Sequence, residues 1–243
     1  MKKIDELVEH FVCNKDPFSV ALNSLEGFVT HSAHLSKLIH SKKSRLKDPA
    51  HLKDKLIRKA VEAKEKGKPF KITKDNLFSK INDLAGIRIL HLHTRQIQEI
   101  DIELKKIFED QQWIIVEGPI ARTWDDESRS YFKEIGIKTI NHPDMYTSVH
   151  YIIRPNSRAS ITLEIQVRTL MEEVWGEVDH SINYPYKTDS NSCRDQIKVL
   201  ARATSSCSRL VDSIFSTHKE YEENRKLSKK TIKVSAKKSK KNK

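Results

Sequence analysis

Two carboxylates far apart in the chain, Asp83 and Glu164, stand where a fold could bring them together around a hard cation. In residues 161–181, ITLEIQVRTLMEEVWGEVDHS, the apolar Ile161, Leu163, Ile165 and Val167 alternate with Thr162, Glu164, Gln166 and Arg168. Side chains on a strand change face at each residue, so Glu164, Gln166 and Arg168 share the polar face. In residues 81–93, INDLAGIRILHLH, Asp83 and Arg88 bracket the start of a run through Ile87, Ile89, Leu90 and Leu92 that is long enough for a buried strand. An acid at the mouth of one strand and an acid on another can meet at a sheet edge, where their oxygens suit magnesium. The same patterns also describe an amphipathic strand with solvated polar groups, and these two stretches alone leave both readings open.

Several elements must position these residues. The strand over 161–167 runs into a helix capped by Thr169, with Glu172 completing a capping box and Leu170, Met171, Val174, Trp175 and Val178 as its apolar stripe. Upstream, residues 40–47 read as a basic edge strand with Arg45 and Lys47 on one face. Asp48 followed by Pro49 starts a helix to about residue 66 that buries Leu52, Leu56, Ile57 and Ala60 and leaves Lys55 off the stripe. Helical spacing marks residues 4–12, 18–39, 94–110 and 192–222, with a turn at 67–73 and a short helix at 74–80. A strand is expected over 113–116. Residues 117–143 are polar and irregular, with a short helix at 128–135. Tyr146 and His150 then lead into a strand over 151–153 and have the same parity, so both can face one site. The fold class is α/β (α+β), with a mixed, roughly five-stranded sheet flanked by helices.

Asp83-Leu84-Ala85-Gly86-Ile87-Arg88 and Glu164-Ile165-Gln166-Val167-Arg168-Thr169 resemble the two signature segments of the RelA/SpoT-type alarmone synthetase domain, and the likeness extends over about residues 45–186. The resemblance implies a nucleotidyltransferase-like synthetase fold and a magnesium-dependent pyrophosphokinase. Such an enzyme moves the β,γ-diphosphate of ATP to the 3′-hydroxyl of GDP or GTP, making (p)ppGpp. It also implies roles for single residues. Arg45 and Arg88 would clamp the adenine, and Lys47 and Lys55 would hold the ATP phosphates. Asp83 and Glu164 would bind Mg2+, with Glu164 also taking the proton of the attacking hydroxyl. Tyr146 would stack on the acceptor base and His150 would position the nucleotide, with Gln166 and Arg168 lining the same face.

Asp144-Met145 stands where members of that family commonly carry Asn-Gly before the tyrosine. Two alternatives accompany this departure: a toxic small synthetase that pyrophosphorylates the 3′ end of tRNA, or a non-catalytic nucleotide-binding module. Paired acids with a basic donor set argue against the module, since binding alone needs no paired metal ligands. The resemblance further admits a homo-oligomer and, for a toxic member, an antitoxin partner. About forty residues precede Arg45, room for a synthetase-only form.

The chain has 243 residues and a formal charge of +12. Nine lysines and no acid fall in residues 226–243, so the body is only mildly basic. Residues 1–222 read as one synthetase domain and 223–243 as a lysine-rich tail too poor in apolar residues to offset the entropy of ordering. Cys13, Cys193 and Cys207 lack zinc spacing and fit a reducing compartment. His10, His31, His34 and His40 form no compact metal motif. The amino terminus disperses charges through its apolar positions, unlike a signal peptide, and no apolar run is long enough for a bilayer, so the expected location is cytoplasmic and away from membranes.

Overall fold

The structure, a computed structural model, describes the backbone of residues 2–241 and the side chains of residues 2–227. Six strands form one mixed sheet in the order β1-β2-β6-β5-β3-β4. They are β1 (Ile39–Leu46), β2 (Ala85–His91), β3 (Ile114–Thr123), β4 (Lys138–Asn141), β5 (Thr147–Arg154) and β6 (Leu163–Thr169). The helices are α1 (Lys2–Cys13), α2 (Asp16–His31), α3 (Leu35–Leu38), α4 (Pro49–Glu65), α5 (Leu77–Lys80), α6 (Ile97–Asp110), α7 (Asp126–Glu134), α8 (Leu170–Asn183) and α9 (Asn191–Lys241).

Alternation divides the sheet into two chemically distinct faces. Ile87 and Ile89 of β2, Leu163, Ile165 and Val167 of β6, and Val149, Tyr151 and Ile153 of β5 are buried in a core with Leu7, Phe11, Phe18, Leu25, Leu52, Leu56, Leu104 and Phe108 from α1, α2, α4 and α6. On β1, Lys42 and Ser44 turn to this side and bond Glu26 of α2. The other face carries the polar residues, covered in part by α8 and α9, where Trp175, Ile197 and Ala201 form a second, small cluster. Among the described residues, no helix is long and apolar enough to cross a membrane.

The local signals perform as expected where short-range hydrogen bonds decide. Asp48 accepts from the amides of Ala50 and His51 to start α4, and Thr169 and Glu172 close the capping box of α8.

Three expectations differ from the structure, and a fourth falls outside it. The helix expected over 18–39 ends at His31, because Ser32 is extended and its hydroxyl accepts from Leu35 to open a separate turn, and Ile39 already belongs to β1. The sheet has six strands rather than five. β3 runs on to Thr123, but Gly118, at φ +105°, breaks its register against β5 and hides the alternation; the sixth strand, β4, is only four residues long and pairs parallel to β3 after α7. Of the apolar stripe expected on α8, Trp175 is buried while Val174 and Val178 are exposed, because the helix lies over polar groups instead of the core. The expectation of a lysine-rich tail falls, from residue 228, outside the residues whose side chains are described.

Candidate active site

Strand register builds the site. Gly86 of β2 pairs with Glu164 of β6, and Arg88 with Gln166; β1 places Arg45 opposite Gly86 and Lys43 opposite Arg88, while β5 places His150 opposite Gln166. One row across the open face therefore reads Lys43, Arg88, Gln166, His150, and the next contains Arg45, Gly86 and Glu164. Gly86 is required by close approach, since a Cβ there would fall 2.5 Å from the Glu164 carbonyl oxygen.

Asp83 sits just before β2 and is largely buried. Lys47 Nζ donates to its Oδ2 at 2.8 Å, and Lys55 Nζ stands 2.7 Å from Oδ1. Burial would raise the carboxyl, but Lys55 and Lys47 outweigh it and hold it at about 2. Lys47 itself is lowered by burial, with Asp83 opposing.

Glu164 accepts from His150 Nδ1 at 3.1 Å and from Gln166 Nε2 at 3.0 Å. Burial pushes Glu164 up, yet the bond from His150 leads the influences that leave it below its usual value, while the charge of Asp83 opposes them. The second ring nitrogen of His150, Nε2, lies 3.1 Å from the Tyr146 hydroxyl. With Glu164 ionised, Nδ1 donates to the carboxylate, and the opposite edge of the ring, Nε2, is held by the Tyr146 hydroxyl.

Two cavities open on this face. The larger, about 410 Å³, is lined by Arg45, Asp83 and Arg88 among others, and the smaller, about 360 Å³, by Arg122, His142 and His150. Glu164, Tyr146, Trp175 and Asp179 line both. A carboxylate at the junction of two compartments can act on a group that passes from one to the other.

The structure brings together Arg45, Asp83, Arg88, Tyr146, His150, Glu164, Gln166 and Arg168. Lys47 and Lys55 stand on Asp83 and are not among the residues lining either cavity. Arg168 is buried, lies over the Tyr146 ring at 5.9 Å and pairs with Glu173. Sequence reasoning missed the site roles of Glu173, Glu177 and Asp179, and it left Arg122 without an assignment. Their acidic spacing on α8, i and i+4 for Glu173 and Glu177, was the available signal. His180 stacks on Tyr184 at 4.5 Å and lines the larger cavity.

The donor set suits a hard cation. Asp83 and Glu164 both line the larger cavity, and each Asp83 oxygen faces a lysine ammonium, Oδ2 that of Lys47 and Oδ1 that of Lys55. Among the described residues, no group of three or more His, Cys, Asp or Glu is placed to hold a metal. Two carboxylates leave the remaining positions to water and phosphate, which is how magnesium is commonly held.

Residues 44–189 match the model of the region found in RelA / SpoT proteins. The chain is 24% identical over 185 residues to the GTP pyrophosphokinase YjbM of Bacillus subtilis (strain 168), spanning 74% of this chain and 72% of that protein. It is 25% identical over 196 residues to the GTP pyrophosphokinase YwaC of the same organism, spanning 76% and 80%. A GTP pyrophosphokinase family protein from Streptococcus pneumoniae has the same fold, with a TM-score of 0.64 at 20% identity over 86% of this chain and 95% of that one. So does the small alarmone synthetase 1 of Bacillus subtilis bound to its product pppGpp, with a TM-score of 0.58 at 20% identity over 87% and 98%.

Proposed function

This chain belongs to the family of proteins that carry the RelA/SpoT region, and from that premise we propose that it is a magnesium-dependent pyrophosphokinase that transfers the β,γ-diphosphate of ATP to the 3′-hydroxyl of GDP or GTP. The observation that carries this reading is the position of Glu164 at the junction of two cavities, one lined by Asp83 and the arginines and one by His150 and Arg122. The relatives named GTP pyrophosphokinase support it, as do synthetase structures of this fold bound to pppGpp and to AMPCPP.

ATP occupies the larger cavity, with its adenine between Arg45 and Arg88 and its phosphates toward Asp83. Lys47 and Lys55 place fixed positive charge at that end. The acceptor lies in the smaller cavity, its base on Tyr146 and its ribose directed to Glu164 by His150, with Gln166 and Arg168 holding the floor.

The 3′-oxygen forms a bond to the β-phosphorus. The bond from that phosphorus to the oxygen bridging to the α-phosphorus breaks, and AMP leaves. Glu164 takes the hydroxyl proton, and its lowered pKa keeps it ionised and ready to accept. Asp83 and Glu164 would hold Mg2+, which neutralises charge on the transferring diphosphate. The rest of the acceleration is positioning of the two substrates on one rigid sheet.

The test offers γ-labelled ATP and magnesium with GDP, GTP or deacylated tRNA in separate reactions. Label in a guanosine tetra- or pentaphosphate is expected. Label on tRNA alone would move the protein to the tRNA-modifying reading, and label on no acceptor would overturn transfer altogether.

A further inference from the structure

Arg88 rises from β2 into the larger cavity, and its Nη1 donates to Glu173 Oε1 and Glu177 Oε1, each at 2.7 Å. The two acids are one helical turn apart on α8 and grip the same nitrogen from the same edge. A guanidinium donates only in its own plane, so anchors at one edge fix the plane and leave the face open to stack on a ring. Glu173 is shared, because its other oxygen pairs with Arg168. Glu177 is half exposed at the cavity wall, within electrostatic reach of Lys43, the register partner of Arg88. Removing Glu177 therefore frees Arg88 to pivot about Glu173 without unpairing Arg168.

We propose that Glu177 is a positioning residue for the donor nucleotide: with Glu173 it fixes the plane of the Arg88 guanidinium so that its open face receives the purine. This rests on the donor reading of the larger cavity. The opposite arrangement, in which the acids sequester Arg88 until nucleotide displaces them, makes the opposite prediction for affinity, so the sign decides.

The experiment measures the affinity of a non-hydrolysable ATP analogue and of inorganic tripolyphosphate for the wild type, Glu177→Ala and Glu177→Asp, alongside steady-state kinetics. Glu177→Ala is expected to weaken the analogue about five- to tenfold, the scale of one desolvated cation-π contact. Tripolyphosphate, which has no base to stack, should bind as before or more tightly, because an anion has been removed. Glu177→Asp should recover part of the loss, and KM for ATP should rise while kcat and KM for the acceptor hold. A loss shared equally by both ligands, unchanged binding, or tighter binding of the analogue overturns the proposal. If the wild type transfers nothing yet shows the loss specific to the analogue, transfer fails and this assignment stands. If transfer occurs and Glu177→Ala binds the analogue like the wild type, this assignment alone fails.

Discussion

His150 Nδ1 lies 3.1 Å from Glu164 Oε1, so an imidazole from β5 orients the carboxylate that β6 sets at the junction of the two cavities. His150 is in turn held by the Tyr146 hydroxyl, which makes a chain of three groups ending on the proposed base.

His150→Ala removes the leading influence that lowers Glu164 and leaves burial, which raises it. The carboxylate then protonates at a higher pH, so the acidic limb of the kcat/KM profile should move upward, and kcat should fall about ten- to a hundredfold through lost orientation. Profiles of the wild type and the variant check this. An acidic limb that stays in place would count against His150 as the group that tunes Glu164.

Asp83→Ala should abolish transfer while the circular dichroism spectrum stays native. Losing several kcal/mol of charge stabilisation corresponds to a rate loss of at least about a thousandfold. Asp83→Asn keeps an acceptor for Lys47 and should lose activity equally with a smaller drop in Tm. Near-normal turnover in either variant would remove Asp83 from the metal assignment.

Gly86→Ala places a methyl against the Glu164 backbone, where neither strand can yield without separating β2 from β6. The expected cost is about 1–3 kcal/mol of stability, with a loss of transfer because Glu164 shifts with its strand. Gly27→Ala is the control. A Cβ there meets nothing within 4 Å, and alanine in the interior of α2 should be neutral or stabilising. Urea denaturation and turnover of the two variants, compared directly, decide the matter.

His91 is buried, donates Nδ1 to the His93 carbonyl, and is lowered by burial to about 4. The unfolded chain thus binds the proton first as pH falls, so the contribution of His91 is present above about pH 6.5 and is lost as pH falls toward about 4, up to on the order of 3 kcal/mol. The wild type should be more stable than His91→Asn near neutrality, and the difference should shrink or reverse through that window. Thermal melts of both proteins across the range test it, and a difference independent of pH would show that the ring does not titrate this way.

The capping box of Thr169 and Glu172, the Asp48 cap and the alternation of residues 163–168 were legible because each depends on neighbours within a few residues. The parity that puts Tyr146 and His150 on one side is legible for the same reason, and their hydrogen bond bears it out. The break after His31 and the strand β4 were not, because a single serine, a left-handed glycine and a pairing to β3 outweigh the periodicity of short windows.

Periodicity along the chain already assigns residues to faces, since strand and helix periods follow from backbone geometry, and it singled out Asp83 and Glu164 as candidates for a shared cation site. Tertiary structure alone decided which faces meet. Arg88 reaches Glu173 across 85 positions and Lys47 reaches Asp83 across 36. Periodicity specifies a side chain's direction but not what stands opposite it, and those partners follow from the order of the strands and the docking of α8 over the open face of the sheet.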